Sequence, residues 1–192
     1  ASDVYKRQHL EGPLYVGNGS TISPLSYVKN SVIGPMGKIG GELNSVVIEG
    51  YTNKVHYGFL GNSYIGEWVN FGAGTTNSNL KNNYGEVRVQ MNDEVFETNR
   101  MHLGCFIGDY VKTSIGTKIN TGSVYGPGSM IFSKDFPSKN IPILTWYTDS
   151  GMSKVGIDKF ILNCHRMKKR RGVDFDIVEE QFYRNLFLKF EK

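Results

Sequence analysis

Cysteine is nearly missing from this chain: Cys105 and Cys164 are the two among 192 residues. Two thiols cannot build a disulfide framework or a thiolate zinc site, so a reducing, cytoplasmic setting is the default expectation. Long apolar runs are missing too. Nothing approaches the ~20 residues of a membrane-spanning helix, and no charged start plus apolar stretch reads as a signal peptide. Charge of one sign is barely in excess: 22 Lys and Arg against 18 Asp and Glu leave +4. That is too mild to argue for nucleic acid, although a local basic run can still meet a phosphate. The hydrophobic share of 39% and charged share of 21% exclude a disordered chain. What is plentiful is glycine, 23 residues, which asks for positive φ or tight turns at many places.

A repeat accounts for them. Aliphatic residues recur every six positions at Val16, Ile22 and Val28, and after a one-residue slip at Ile33 and Ile39. Ile48 and Leu60 are in step, then Ile65 and Phe71, and the longest run is Ile107, Thr113, Ile119, Tyr125 and Ile131. The next residue is often Gly, as at Gly17, Gly34, Gly66 and Gly108. Four places on stands a small or β-branched residue, as at Ser26, Thr52, Thr75, Thr117 and Ser129. A period of six fits neither an amphipathic helix nor an alternating strand. It fits a short strand followed by a bend, three such units closing one triangular coil of a parallel β-helix. The aliphatic residue points into the prism, the small residue fills the corner, and coils stack about 4.8 Å apart. A β-sandwich with short Gly-rich strands does not keep step over five hexads.

Three units of organisation follow: residues 1–11 as a non-native or disordered leader, 12–135 as the β-helix, and 136–192 as an extended segment followed by helices. The repeat breaks over residues 77–103, a polar stretch that should leave the prism as a loop, and long loops on rigid scaffolds carry function. After Ile131 the pattern stops, and residues 136–147 read as an extended crossing segment with two prolines. From Ser153 to about Arg171, Ile157, Phe160, Ile161 and Cys164 share one helical face. A second helix follows Gly172, with Asp176 and Glu179 shaped like a capping box. These helices would cap the open prism end or pack on a neighbour, since an open end exposes strand edges.

The segment VHYGFLGNSYIGEWVNFGAGTTNSNLKNNYG, residues 55–85, carries chemistry. With residues 109–122 and 136–146 it resembles the acetyltransferase half of bifunctional GlmU proteins, the glucosamine-1-phosphate N-acetyltransferase and sugar nucleotidyltransferase fusions of UDP-GlcNAc biosynthesis. The resemblance covers roughly residues 12–170 and implies a left-handed hexapeptide β-helix, mainly β, with a long inserted loop and C-terminal helices. It puts His56 at the family's catalytic histidine and Glu42 at the carboxylate supporting it. Asn70 and Asn79 match two asparagines near the sugar, and Ala73, with Gly74 beside it, matches a backbone contact to the acyl donor. Lys38 matches a basic residue at a phosphate position, and Lys81 is a second cation for a sugar phosphate. The resemblance further implies acetyl-CoA as cosubstrate with no metal in the transfer, a homotrimer with sites between prisms, and an N-terminal nucleotidyltransferase domain absent from this chain; the mild charge and the short apolar runs lead to the expectation of no nucleic acid or membrane partner.

Elementary chemistry agrees with these roles. An amine must shed a proton to attack a thioester, and imidazole titrates near working pH. A carboxylate on its far nitrogen fixes the tautomer. Backbone N–H groups of Gly72–Gly74 are donors for a tetrahedral oxyanion. This sequence also departs from the family: a tyrosine three residues after the histidine is Phe59, a lysine two after the carboxylate is Asn44, and an Asn-Tyr-Asp-Gly segment reads Asn79-Leu80-Lys81-Asn82. Those changes bear on the acceptor more than on acyl transfer, and they leave a non-catalytic oligomerisation or regulatory module as the alternative. A zinc hydrase on the same prism needs three converging imidazoles, whereas His56 and His102 are the two near the prism, with His9 in the leader and His165 in a helix. The run Lys168–Arg171 ends a helix, where cations suit the dipole; its functional reading is a grip on coenzyme A phosphates. Trp68 and Trp146 read as packing or subunit contacts.

Overall fold

The computed structural model describes residues 7–91 and 93–190. It is mainly β, a parallel β-solenoid followed by two helices. The coil has three faces. The first holds His9–Glu11, Tyr27–Lys29 and the beginnings of Glu42–Ile48 and Phe59–Ile65, with His9, Tyr27, Glu42 and Phe59 in register. On the second face the inner column is Val16, Ile33, Ile48, Ile65, Ile107, Tyr125 and Ile141, each the partner of the next. The third face holds Thr21–Ile22, Lys38–Ile39 and Asn53–Lys54, then Asn70 by single bridges, then Lys112–Thr113, Met130–Phe132 and Thr145–Thr148. All these pairings are parallel.

The sixfold spacing has a direct physical cause here. Val28, Ile33, Ile39, Leu43, Ile48, Leu60 and Ile65 are all at most 2% exposed, forming one continuous core. Burying each contributes about 1.5–3 kcal/mol. The small residues at corners are buried as well, and their hydroxyls satisfy corner carbonyls: Ser26 Oγ donates to the Ser23 carbonyl at 2.7 Å, Thr117 Oγ1 to Ser114 at 2.8 Å. The glycine after the inner residue serves close approach rather than positive φ. A Cβ on Gly34 would lie 2.7 Å from the Glu49 carbonyl carbon of the next coil. Left-handed backbone falls instead three places after the inner residue, on glycines such as Gly74 and Gly116 but also on non-glycine residues, among them Met36, Tyr51, Trp68, Tyr110 and Leu144. At about 1–2 kcal/mol each, this is offset by the aromatic packing described below.

Five expectations change. His9–Glu11, expected within a leader, is the first strand, paired with Tyr27–Lys29; residues 1–6 lie outside the described residues. Residues 136–147 do not cross over: Asn140–Ile141 and Thr145–Thr148 add further rungs to the second and third faces, with Ile141 buried on Tyr125. The loop is partly ordered, since Arg88–Met91 and Glu94–Glu97 pair antiparallel, closed by an Arg88–Glu97 ion pair at 2.8 Å. The helices are α1 (Ile157–Lys169) and α2 (Ile177–Phe190). The first starts later than expected because Gly151–Lys154 returns as an antiparallel strand on Thr145–Thr148. They pack on the flank between the second and third faces instead of capping the prism, because that corner presents Trp68, Tyr110 and Leu144 to Phe160, Ile161, Cys164 and Tyr183.

The inserted loop is anchored where it rejoins the prism. Asn77 Nδ2 donates to the Gly61 carbonyl at 3.0 Å, Asn77 Oδ1 accepts from Gly61 N at 2.8 Å, and Ser63 Oγ accepts from Cys105 N at 2.9 Å. Gly104 sits inside this knot, where a Cβ would lie 2.0 Å from the Gly61 carbonyl oxygen and 2.4 Å from Asn77 Nδ2. Gly104→Ala is therefore expected to cost about 3 kcal/mol, the upper part of the usual overpacking range, read as a lower midpoint in urea with an unchanged m-value.

Candidate active site

His56 lies on the corner joining the third face to the first, between Asn53–Lys54 and Phe59–Ile65, and its ring is exposed. The same corner one coil on is Gly72–Thr75. There the Tyr57 carbonyl accepts from Gly74 N at 3.2 Å, and the Tyr57 phenol lies over Gly74, where a Cβ would meet its Oη at 2.7 Å. One coil further, Gly116 N donates to the Ala73 carbonyl at 2.8 Å. His56, Ala73 and Gly74 are thus brought to one ridge.

Of the expected oxyanion donors, two are engaged: Gly72 N donates to Thr113 Oγ1 at 3.1 Å and Gly74 N to Tyr57. The Ala73 N–H remains, without an acceptor among the described residues. Glu42 sits beside Phe59 across the first-face ladder, three residues from His56 in projection, with its side chain exposed. No hydrogen bond joins it to the imidazole; neither side chain has a partner among the described residues. Lys38 and Asn70 belong to the outer row of the third face, in register with Asn53 and Lys112. Asn70 Oδ1 accepts from Asn53 Nδ2 at 2.8 Å, and burial lowers the pKa of Lys112.

Asn79 and Lys81 are elsewhere. Asn79 Nδ2 donates to Asn62 Oδ1 at 2.6 Å on the opposite border of the first face, at its corner with the second. Lys81 donates to the Glu86 carbonyl and lines a cavity of about 550 Å³ with Asn82, Asn120, Phe136 and Lys139. The expected residues therefore form two groups, separated within one chain by the width of a face. The basic run also splits: Lys168 is buried against Glu179 and over the rings of Trp68 and Phe175, at 5.4 and 5.3 Å, so it is not open to phosphate, while Lys169 and Arg170 are exposed. His102 bridges Leu80 away from His56, and no cluster of three or more metal-ligating side chains occurs among the described residues. Both thiols are buried, which pushes their pKa values up to about 12.

One residue beside the site escaped the sequence reading. Lys54 is 2% exposed, inside the prism beneath His56. The signal was present, because position 54 falls midway between Ile48 and Leu60, where the repeat calls for an aliphatic side chain.

No family model matches the chain. It is 36% identical over 114 residues to a bifunctional sugar-1-phosphate nucleotidylyltransferase/acetyltransferase of Sulfurisphaera tokodaii, covering 57% of this chain and 28% of that protein. A bifunctional protein GlmU of Methanococcus maripaludis is 34% identical over 110 residues, 54% of this chain and 26% of the relative. The chain thus spans less than a third of the curated relatives it matches. Among solved structures, a point mutant of AntD, an N-acyltransferase from Bacillus cereus in complex with dTDP and coenzyme A, overlaps 85% of this chain and 86% of that one at 12% identity with a TM-score of 0.42.

Proposed function

We propose that this chain is an acetyl-CoA-dependent N-acetyltransferase acting on an amino sugar phosphate such as glucosamine 1-phosphate. The observation that carries the reading is an exposed His56 on one ridge with the Gly-Ala-Gly bend, the imidazole and the Ala73 N–H both without a partner among the described residues. Similarity to a protein named bifunctional sugar-1-phosphate nucleotidylyltransferase/acetyltransferase, and to a bifunctional protein GlmU, supports it. In the reaction, the amine nitrogen attacks the thioester carbonyl while His56 takes its proton. The tetrahedral oxyanion draws on the Ala73 N–H. On collapse the C–S bond breaks, and the leaving thiolate takes the proton from the imidazolium. Glu42 supports the imidazolium once substrate closes the site, and Lys38 and Asn70 serve the acceptor from the same side. The assay is thiol release from acetyl-CoA with a panel of amino sugars, their 1-phosphates and nucleotide-linked forms; no release with any acceptor sinks the proposal.

The separation of Asn79 and Lys81 from His56 favours a site completed by a neighbouring subunit, and a homotrimer is part of the proposal. A surface suited to a second copy is the outer column of the second face, where Tyr15, Val32, Val47, Tyr64 and Phe106 are exposed in register. A continuous apolar strip of this kind is uncommon on a monomer. Phe106→Asp is expected to shift the light-scattering mass from trimer to monomer; a monomeric wild type at micromolar concentration removes this part. A preceding nucleotidyltransferase domain and a cytoplasmic location complete the proposal, and no described helix is long and apolar enough to cross a membrane.

A further inference from the structure

Among the described residues, the ammonium of Lys54 has no carboxylate partner. It donates to three carbonyls, Gly40 at 3.2 Å, His56 at 2.6 Å and Tyr57 at 3.3 Å, which uses its full set of three N–H donors. Its neighbour across the ladder is the fully buried Ile39. Burial lowers its pKa to about 8, so a charge held inside this prism opposes folding unless something offsets it.

Three of the other corners between the third and first faces show what it replaces; the Ile39 corner is shorter, turning at left-handed Gly41 (φ 81°) directly into Glu42. In the ordinary pattern the inner residue is followed three places later by left-handed backbone and four places later by a buried hydroxyl. Leu25 (φ 60°) and Ser26 follow Ile22, Gly74 (φ 75°) and Thr75 follow Phe71, and Gly116 (φ 74°) and Thr117 follow Thr113. The hydroxyl turns back onto a corner carbonyl, as Ser26 and Thr117 do. The His56 corner breaks both rules. Four places after Lys54 stands Gly58, which has no hydroxyl, and the left-handed position has moved onto it, at φ 119°. A Cβ on Gly58 would lie 2.2 Å from the Thr75 carbonyl oxygen, so this altered corner accepts glycine alone. The lysine ammonium occupies the role of the missing hydroxyl and draws the His56 and Tyr57 carbonyls inward.

We infer that Lys54 and Gly58 act as a pair that holds the His56 corner out of the repeat conformation and so aims the imidazole at its substrate. Lys54 is a positioning residue, since its ammonium touches only backbone. The inference rests on the reading of His56 as the base. Two variants test it: Lys54→Met, of similar length without charge, and Lys54→Met with Gly58→Thr, which rebuilds the ordinary corner. In both, kcat is expected to fall about 100-fold, the usual effect of an ångström-scale displacement, with KM for acetyl-CoA within about 3-fold. The double variant should melt no lower than the wild type, so activity and stability part ways, which a merely structural lysine would not allow. A double variant with kcat within about 3-fold of wild type overturns the inference, as does activity lost only in step with melting temperature. Hydrogen exchange separates this from the functional proposal. Amides of residues 55–59 should exchange about 10-fold faster in Lys54→Met, whether or not the wild type releases thiol; unchanged exchange also overturns the role of Lys54.

Discussion

Replacing His56 by alanine should lower kcat for acetyl transfer by about 10³, within the 10²–10⁴ that a positioned base contributes. The melting temperature should stay within about a degree, because substitutions at exposed sites without special contacts stay within ±0.5 kcal/mol. The imidazole is exposed and no side-chain contact ties it to the described residues. Both halves matter. Loss of activity with loss of fold says only that the corner is damaged. A variant with wild-type kcat shows that another group removes the proton and leaves the ridge without its proposed chemistry. Glu42→Gln is the informative companion. If Glu42 meets His56 only once substrate closes the site, the variant loses rate without losing acetyl-CoA affinity. Apo geometry permits this, since catalytic hydrogen bonds often tighten only on binding.

The prism was legible because its period is local. Ile107, Thr113, Ile119, Tyr125 and Ile131 stand six apart, and all five are buried inner residues. The rungs beyond Ile131 were missed because the first-face strand is interrupted around Pro137, yet Ile141 and Tyr147 are again six apart and occupy inner columns. His56 was singled out through its flanking segment, which a short window contains. Its separation from Asn79 and Lys81 was not, because that depends on which corner each residue reaches once the coil is wound. Lys54 was hidden for a different reason. A charged residue reads as solvent-facing by default, and only strict counting from Ile48 shows it pointing inward. The oxyanion donors were seen as a group of three, but Gly72 and Gly74 turned out to be bonded to neighbouring coils. Stacking consumes backbone donors, and that cost is invisible one coil at a time.

Trp68→Ala should have the largest effect on stability, about 3–5 kcal/mol, as for other fully buried aromatics. Trp68 is 3% exposed and stacks on Tyr51 at a centroid distance of 4.2 Å and an interplanar angle of 7°. On its other side lies Tyr110, at 6.3 Å and 4°, and the Lys168 ammonium stands 5.4 Å from the ring centre. Tyr51, Trp68 and Tyr110 each fall three residues after an inner residue of the second face, at Ile48, Ile65 and Ile107, so successive coils stack their rings into one column. Helix α1 closes on that column through Phe160 and Lys168, and α2 through Tyr183 and Glu179; Asp176 caps α2 by accepting from Val178 N at 2.9 Å and Glu179 N at 2.8 Å. Glu179 does not complete a capping box; it accepts from both Lys168 and Tyr110, joining the two helices to the prism. Removing the indole strips the ring from under Lys168 and leaves its ion pair facing a void. The damage should be confined to this flank, because the inner columns of the prism form a separate core. Limited proteolysis should therefore cut first between residues 156 and 176 while the solenoid survives as a resistant core. Uniform digestion of the whole chain would mean that the helices are integral to the solenoid's stability, with the aromatic column as its main support.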